Sequence, residues 1–200
     1  VICGFGRTGN MWGSETYAMK PDLLTCAKAL SSGYVPISAL MISDQIYQAI
    51  ADQSAEIGNL SHGFTYSGHP VAAAVALETL KIYDEIGLID RIRATAPLLQ
   101  EGIRRFADHP LTGEVNGVGM LAVAELVADK ETGTPFDAGR KVSAYLASRT
   151  QEHGLIIRAM AGDRIGFSPP LLIEPDEIAE VFARFAKALD ETLEWARAGD

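Results

Sequence analysis

Apolar and polar positions alternate along this chain in blocks that read first as strand and loop, then as amphipathic helix and strand. Leu23-Leu24-Thr25-Cys26-Ala27 is apolar or β-branched and suits a short buried strand, and Lys28 stands at its exit before small residues and Gly33 break the run. A second apolar run at 36–43 predicts another buried strand, and Asp44 predicts the cap of a short helix through Ala51. Residues 52–69 read as a polar loop. Pro70 fits a first helical turn, and the alanine-rich stretch 71–83 predicts a helix. After Gly87, the residues Leu88, Ile89, Ile92, Leu98, Leu99, Ile103 and Phe106 form the apolar stripe of a further helix. Residues 117–126 predict a strand, 137–153 a helix, and 155–159 and 164–168 two short strands around a turn at Gly162-Asp163. Pro169-Pro170 ends the second of these, and Pro175 opens a final helix running to about Arg197.

The character changes near Ile86-Gly87, from glycine-rich loops to plain amphipathic elements. The expected organisation is therefore two domains, 1–86 and 87–200, an α/β half followed by an α+β half. Val1-Ile2-Cys3 reads as the tail of a buried strand that begins upstream, so the expectation is a piece of a longer protein.

Of the 200 residues, 48% are hydrophobic and 22% charged, which suits a chain that buries a core. The formal net charge of −9, with no Lys/Arg cluster, speaks against nucleic-acid binding. No apolar run approaches the ~18 residues of a membrane span, and no signal peptide is visible. Cys3 and Cys26 have neither CxxC nor metal-site spacing and read as free thiols of a reducing, cytoplasmic setting. His62 and His69 lack a third ligand nearby, so no metal is expected.

Residues 4–20 are glycine-rich and aperiodic. Gly4-x-Gly6-x-x-Gly9 matches the dinucleotide fingerprint literally, but no helical stripe opens at the third glycine, so the context for nucleotide binding is missing. Lys28 carries the sharper chemistry. A lysine buried at a strand exit is favoured as the neutral amine, and a neutral amine attacks carbonyls; the plain alternative is a lysine whose head reaches solvent.

Residues 1–9, VICGFGRTG, with Trp12-Gly13, Pro21-Asp22, Lys28, Gly33 and Pro36, resemble the core of the class III aminotransferases, pyridoxal-phosphate enzymes of fold type I. The run GFTYSGHP at 63–70, Thr-Pro-Phe-Asp at 134–137, and Leu-Ile-Ile-Arg at 155–158 with Pro169-Pro170 extend the resemblance along the chain. It is nearest to the ω-amino acid or amine–pyruvate transaminases. It implies part of a large pyridoxal-phosphate-binding domain, a mostly parallel sheet with helices, followed by a smaller α+β C-terminal domain. The implied activity transfers an amino group from an amine or ω-amino acid to pyruvate or a similar keto acid.

In that family Lys28 falls on the lysine that forms the internal aldimine. Val1 and Ile2 resemble positions that pack against the cofactor ring, though strand-core packing fits them equally. Gly63, Phe64 and Thr65 resemble a segment that approaches the cofactor phosphate of the neighbouring subunit, which implies a homodimer with shared active sites. Arg158 resembles an arginine that grips a substrate carboxylate and swings aside for amines without one; pairing with a distant acid is the other role open to it. Arg164 fits a solvent position at a strand edge. Trp12 is compatible with lining a substrate channel or, more commonly, with anchoring the core. The family's aspartate that pairs with the pyridine nitrogen falls two residues before Val1, outside the chain. A catalytically incomplete piece, or a non-catalytic interaction domain keeping the fold, is therefore the alternative.

Overall fold

The apolar stretch before Lys28 pairs with the next one: β1 (Leu23–Cys26) runs antiparallel to β2 (Ala39–Ile42), with Leu23 opposite Ile42 and Cys26 opposite Ala39. The computed structural model describes residues 1–198 of the chain, which falls into two compact units, Val1–Ile89 and a second beginning at Asp90.

In the first unit, the glycine-rich segment folds back on itself. Phe5 N–H donates to the Met11 carbonyl, and Gly6 and Gly9 adopt φ of 96° and 91°, the left-handed region that glycine enters without a Cβ clash. A short helix, α1 (Gly13–Thr16), follows, its start held by the Glu15 carboxylate, which accepts from Trp12 N–H at 2.8 Å. Helix α2 (Asp44–Ile57) begins behind a Ser43 cap and α3 (Pro70–Glu85) begins on Pro70, whose missing N–H costs nothing at a first turn. Phe5, Cys26, Leu30 and Ala76 form the buried cluster, with Trp12, Leu24, Ala29, Leu80 and Tyr83 packed against it.

Three expectations for this unit are corrected. The β2 run is not buried: Leu40, Met41 and Ile42 are 56%, 41% and 39% exposed, because α3 and the core cluster cover β1 and no element among the described residues covers β2. Nor is the sheet parallel here, since a twelve-residue connection turns the chain straight back and every described strand pairing is antiparallel. Helix α2 passes Ala51 and ends at Ile57, before Gly58, so the polar run read as loop continues its solvent face.

The second unit takes most of α4 (Leu88–Arg104), then β3 (Thr112–Val118), β4 (Leu121–Leu126), α5 (Val142–Glu152), β5 (Arg158–Met160), β6 (Arg164–Phe167) and α6 (Pro175–Ala198). Its antiparallel sheet has the order β3-β4-β6-β5. Alternation along β4 and β6 buries Ala122, Ala124, Ile165 and Phe167 on one face. Phe182, Phe185 and Leu189 of α6 are buried too, and the Phe185 ring meets Phe167 edge-on at 5.0 Å. Each such aromatic or aliphatic side chain contributes about 1.5–3 kcal/mol by leaving water.

Candidate active site

Lys28 is the first residue of a 3-10 turn, Lys28–Leu30, that follows β1 directly. Its φ of 53° is left-handed, a conformation that costs a non-glycine residue roughly 1–2 kcal/mol. The turn is closed by Ser31 N–H to the Lys28 carbonyl and by Ser31 Oγ to the Val35 carbonyl at 2.7 Å. Lys28 itself is exposed, against the burial expected at the strand exit, because Ala27 and Ala29 flank it and nothing among the described residues packs over its stem. Its Nζ has no hydrogen-bond or ion-pair partner among the described residues.

Beside this turn lies a cavity of about 1250 Å³, lined by Val1 and by Thr25, Cys26 and Ala27 of the β1 exit, by Val35 to Leu40, and by the segment around Gly63, Phe64 and Tyr66. The structure thus brings Val1, Gly63 and Phe64 to one cavity. Ile2, Lys28 and Thr65 are exposed and lie outside its lining.

The cavity also takes in Gly68, His69, Val71 and Ala72, the start of α3. This sixteen-residue helix has no acidic residue in its first turn and no side-chain cap. Its leading N–H groups are therefore available to an anion. Phe64 N–H is not, contrary to its expected service as a phosphate donor: Ser67 Oγ accepts from it at 3.0 Å, while Ser67 N–H returns a bond to the Phe64 carbonyl.

Trp12 does not line the cavity. Its ring meets Phe5 edge-on at 4.9 Å against the core cluster, so of the two roles open to it, channel lining and core anchoring, the structure shows the second. Arg158, in the second unit, is exposed on the edge strand β5 opposite Gly166, and no ion pair or hydrogen bond holds its guanidinium among the described residues. Arg164, by contrast, pairs with Glu125 at 3.2 Å. Tyr83 was missed by sequence reasoning; its hydroxyl donates to the carbonyl of Ala29, 54 positions earlier. Its place at the end of the inward stripe through Ala76 and Leu80 is visible in the chain, but not what the hydroxyl meets.

The family described as Aminotransferase class-III matches residues 1–189. Gamma aminobutyrate transaminase 3, chloroplastic, from Solanum lycopersicum is 47% identical over 192 residues, covering 96% of this chain and 37% of that protein. Vanillin aminotransferase from Capsicum frutescens is 43% identical over 96% of this chain and 42% of its own length. Among solved structures, the omega transaminase from Pseudomonas jessenii in complex with PMP superposes with a TM-score of 0.93 at 48% identity, covering 100% of this chain and 44% of that one. A transaminase obtained by ancestral reconstruction gives 0.95 at 44% identity. The chain spans well under half the length of each of these relatives.

Proposed function

The chain belongs to the class III aminotransferase family, and on that footing we propose that it forms the lysine-bearing portion of a pyridoxal-phosphate-dependent transaminase. The amino donor is an amine or ω-amino acid and the acceptor pyruvate or a similar keto acid. The tomato relative's name specifies γ-aminobutyrate, an ω-amino acid, which supports that donor class. The observation that carries the proposal is Lys28, set in a left-handed turn at the exit of β1 beside a cavity that collects Val1, Gly63 and Phe64 from distant parts of the chain.

The residues present fit the cofactor. An uncapped α3 N-terminus opening on the cavity is a donor set suited to a phosphate, and Lys28, a primary amine with no partner among the described residues, directly follows Ala27 of the cavity lining. Val71 and Ala72 N–H would offer donors to a phosphate, Gly63 and Thr65 would complete the phosphate site of the neighbouring subunit, and Val1 and Ile2 would wall the ring. Pyridoxal phosphate, when bound, supplies the electron sink that allows a C–H bond beside the amino group to break. Lys28 Nζ would hold the cofactor at its aldehyde end and, as a free amine, would carry the proton that the transfer of the amino group moves. Arg158 binds the substrate carboxylate with two parallel N–H bonds and, having no fixed acidic partner among the described residues, is free to turn away from donors that lack one.

Residues 1–86 belong in this account to the large cofactor-binding domain and 87–200 to the small one. The exposed apolar side chains Leu40, Phe64, Tyr66 and Val71 support a homodimer in which a second subunit covers them and shares the site. The free thiols Cys3 and Cys26 support a reducing compartment such as the cytoplasm, while the tomato relative's name places that protein in the chloroplast. Addition of pyridoxal phosphate to the full-length protein containing this chain tests the proposal. A visible absorbance band should appear and be lost in Lys28→Ala; a flat spectrum with a cooperatively folded protein would mark a non-catalytic domain.

A further inference from the structure

We propose that Tyr83 is a positioning residue for Lys28. This rests on the reading of Lys28 as the cofactor-bearing lysine. The turn that carries Lys28 contains two left-handed non-glycine residues, Lys28 at φ 53° and Ser32 at φ 48°. Such conformations persist where the surroundings over-determine them, and they gather at functional sites. Here the surroundings include a hydroxyl from another element. Tyr83, on α3, donates to the Ala29 carbonyl at 2.8 Å, and its oxygen lies 2.6 Å from Ser32 Oγ.

The direction of both bonds follows from chemistry. A carbonyl only accepts, so the single hydroxyl hydrogen of Tyr83 goes to Ala29, and Ser32 donates its own hydrogen to the Tyr83 oxygen. Ala29 then accepts from both Tyr83 and Ser32 N–H, the latter at 3.2 Å. The ring behind the hydroxyl is fixed by the core: it packs against the cluster of Phe5, Cys26, Leu30 and Ala76, 6.5 Å from the Phe5 ring. A rigid helix therefore holds the residue next to Lys28 and the last strained residue of its turn. The lysine backbone is set from outside its own loop, while its side chain stays free to meet and leave the cofactor carbon. Misplacing a reacting group by a fraction of an ångström is reflected in turnover more than in substrate binding.

The test uses the full-length protein that contains this chain, as wild type, Tyr83→Phe and Ser32→Ala, with Lys28→Ala as control. Tyr83→Phe keeps the packed ring and removes only the hydroxyl. The expected result is a kcat, per cofactor-loaded site, lower by about three- to tenfold, with KM for the amino donor within about twofold. Ser32→Ala should give a smaller change in the same direction. In the cofactor-free protein, hydrogen exchange at the Ser31 and Ser32 amides should quicken by a similar factor in Tyr83→Phe. A merely structural tyrosine would lower Tm and leave both readouts unmoved, which overturns the inference. If hydride reduction still fixes the cofactor on Lys28 while Tyr83→Phe behaves as wild type, only the role of Tyr83 falls. If Lys28→Ala keeps the cofactor linkage, the inference falls together with the reading it rests on.

Discussion

Arg158 faces Gly166 directly across the β5–β6 pair, so no side chain stands opposite the arginine on its strand. The hairpin's other arginine, Arg164, is engaged by Glu125 at 3.2 Å. One hairpin thus carries a paired cation and an open one, and the open one suits an incoming carboxylate. Arg158→Leu should raise KM for a keto acid bearing a carboxylate by about 10- to 100-fold, the worth of charged hydrogen bonds. Turnover with a donor amine that has no carboxylate should change by less than about twofold. Steady-state kinetics of the full-length protein with the two substrate types checks this. Arg158→Lys should recover only part of the loss, since an ammonium lacks the planar fork.

Gly102, within α4, meets the Phe182 ring so closely that a Cβ there would lie 2.0 Å from Cε2. Helix propensity alone favours Ala over Gly by about 1 kcal/mol. Overpacking a buried ring costs about 1–3 kcal/mol and should win, because Phe182 is fully enclosed and has no solvent side to turn to. Gly102→Ala is therefore expected to lower Tm, measured by thermal unfolding, where an exposed helix position would raise it.

His109 gives the second unit a dependence on pH. Burial pushes its imidazole below the usual value, opposed by the hydrogen bond to Asp190 at 3.3 Å, with Lys130 and Arg197 adding repulsion. Nδ1 accepts from Leu111 N–H at 3.2 Å, so protonating that nitrogen would remove an acceptor the fold uses. The unfolded chain takes up the proton near its ordinary pKa of about 6.5, and the folded chain only at lower pH. The stabilisation is thus complete above about 6.5 and declines as pH falls through the folded value. Between about pH 7 and about pH 5.5, Tm of the wild type should fall, while His109→Gln should show a flatter profile over the same range. Glu191 does not confuse the window: Arg149 holds its carboxyl below the usual carboxylate range, and it titrates in more acid solution.

The elements that could be read from the chain are those whose signals are local. Pro70 and Pro175 mark helix starts at α3 and α6, and the stripe through Ile92, Leu99 and Ile103 marks α4. Strand β3 escaped up to Asn116, because Gly113 and Asn116 interrupt the pattern, and the run read as one strand over 117–126 is the end of β3, a turn at Gly119-Met120 and β4; β3 exists because β4 offers it a ladder from Thr112 to Val118. Lys28 could be found by its neighbours in the sequence, but its exposure and its left-handed turn could not, since both depend on what packs around it. The occupation of Phe64 N–H by Ser67, and the reach of Tyr83 to Ala29, are tertiary facts with no signature in composition or spacing.

Treatment of the full-length, pyridoxal-phosphate-loaded protein with borohydride, followed by peptide mass mapping, tests the role of Lys28 most directly. The reduced cofactor mass should be found on the peptide holding Lys28, and Lys28→Ala should carry none. A label on any other side chain, or a wild-type protein that takes up no label, would contradict the assignment of Lys28 and the site built around it.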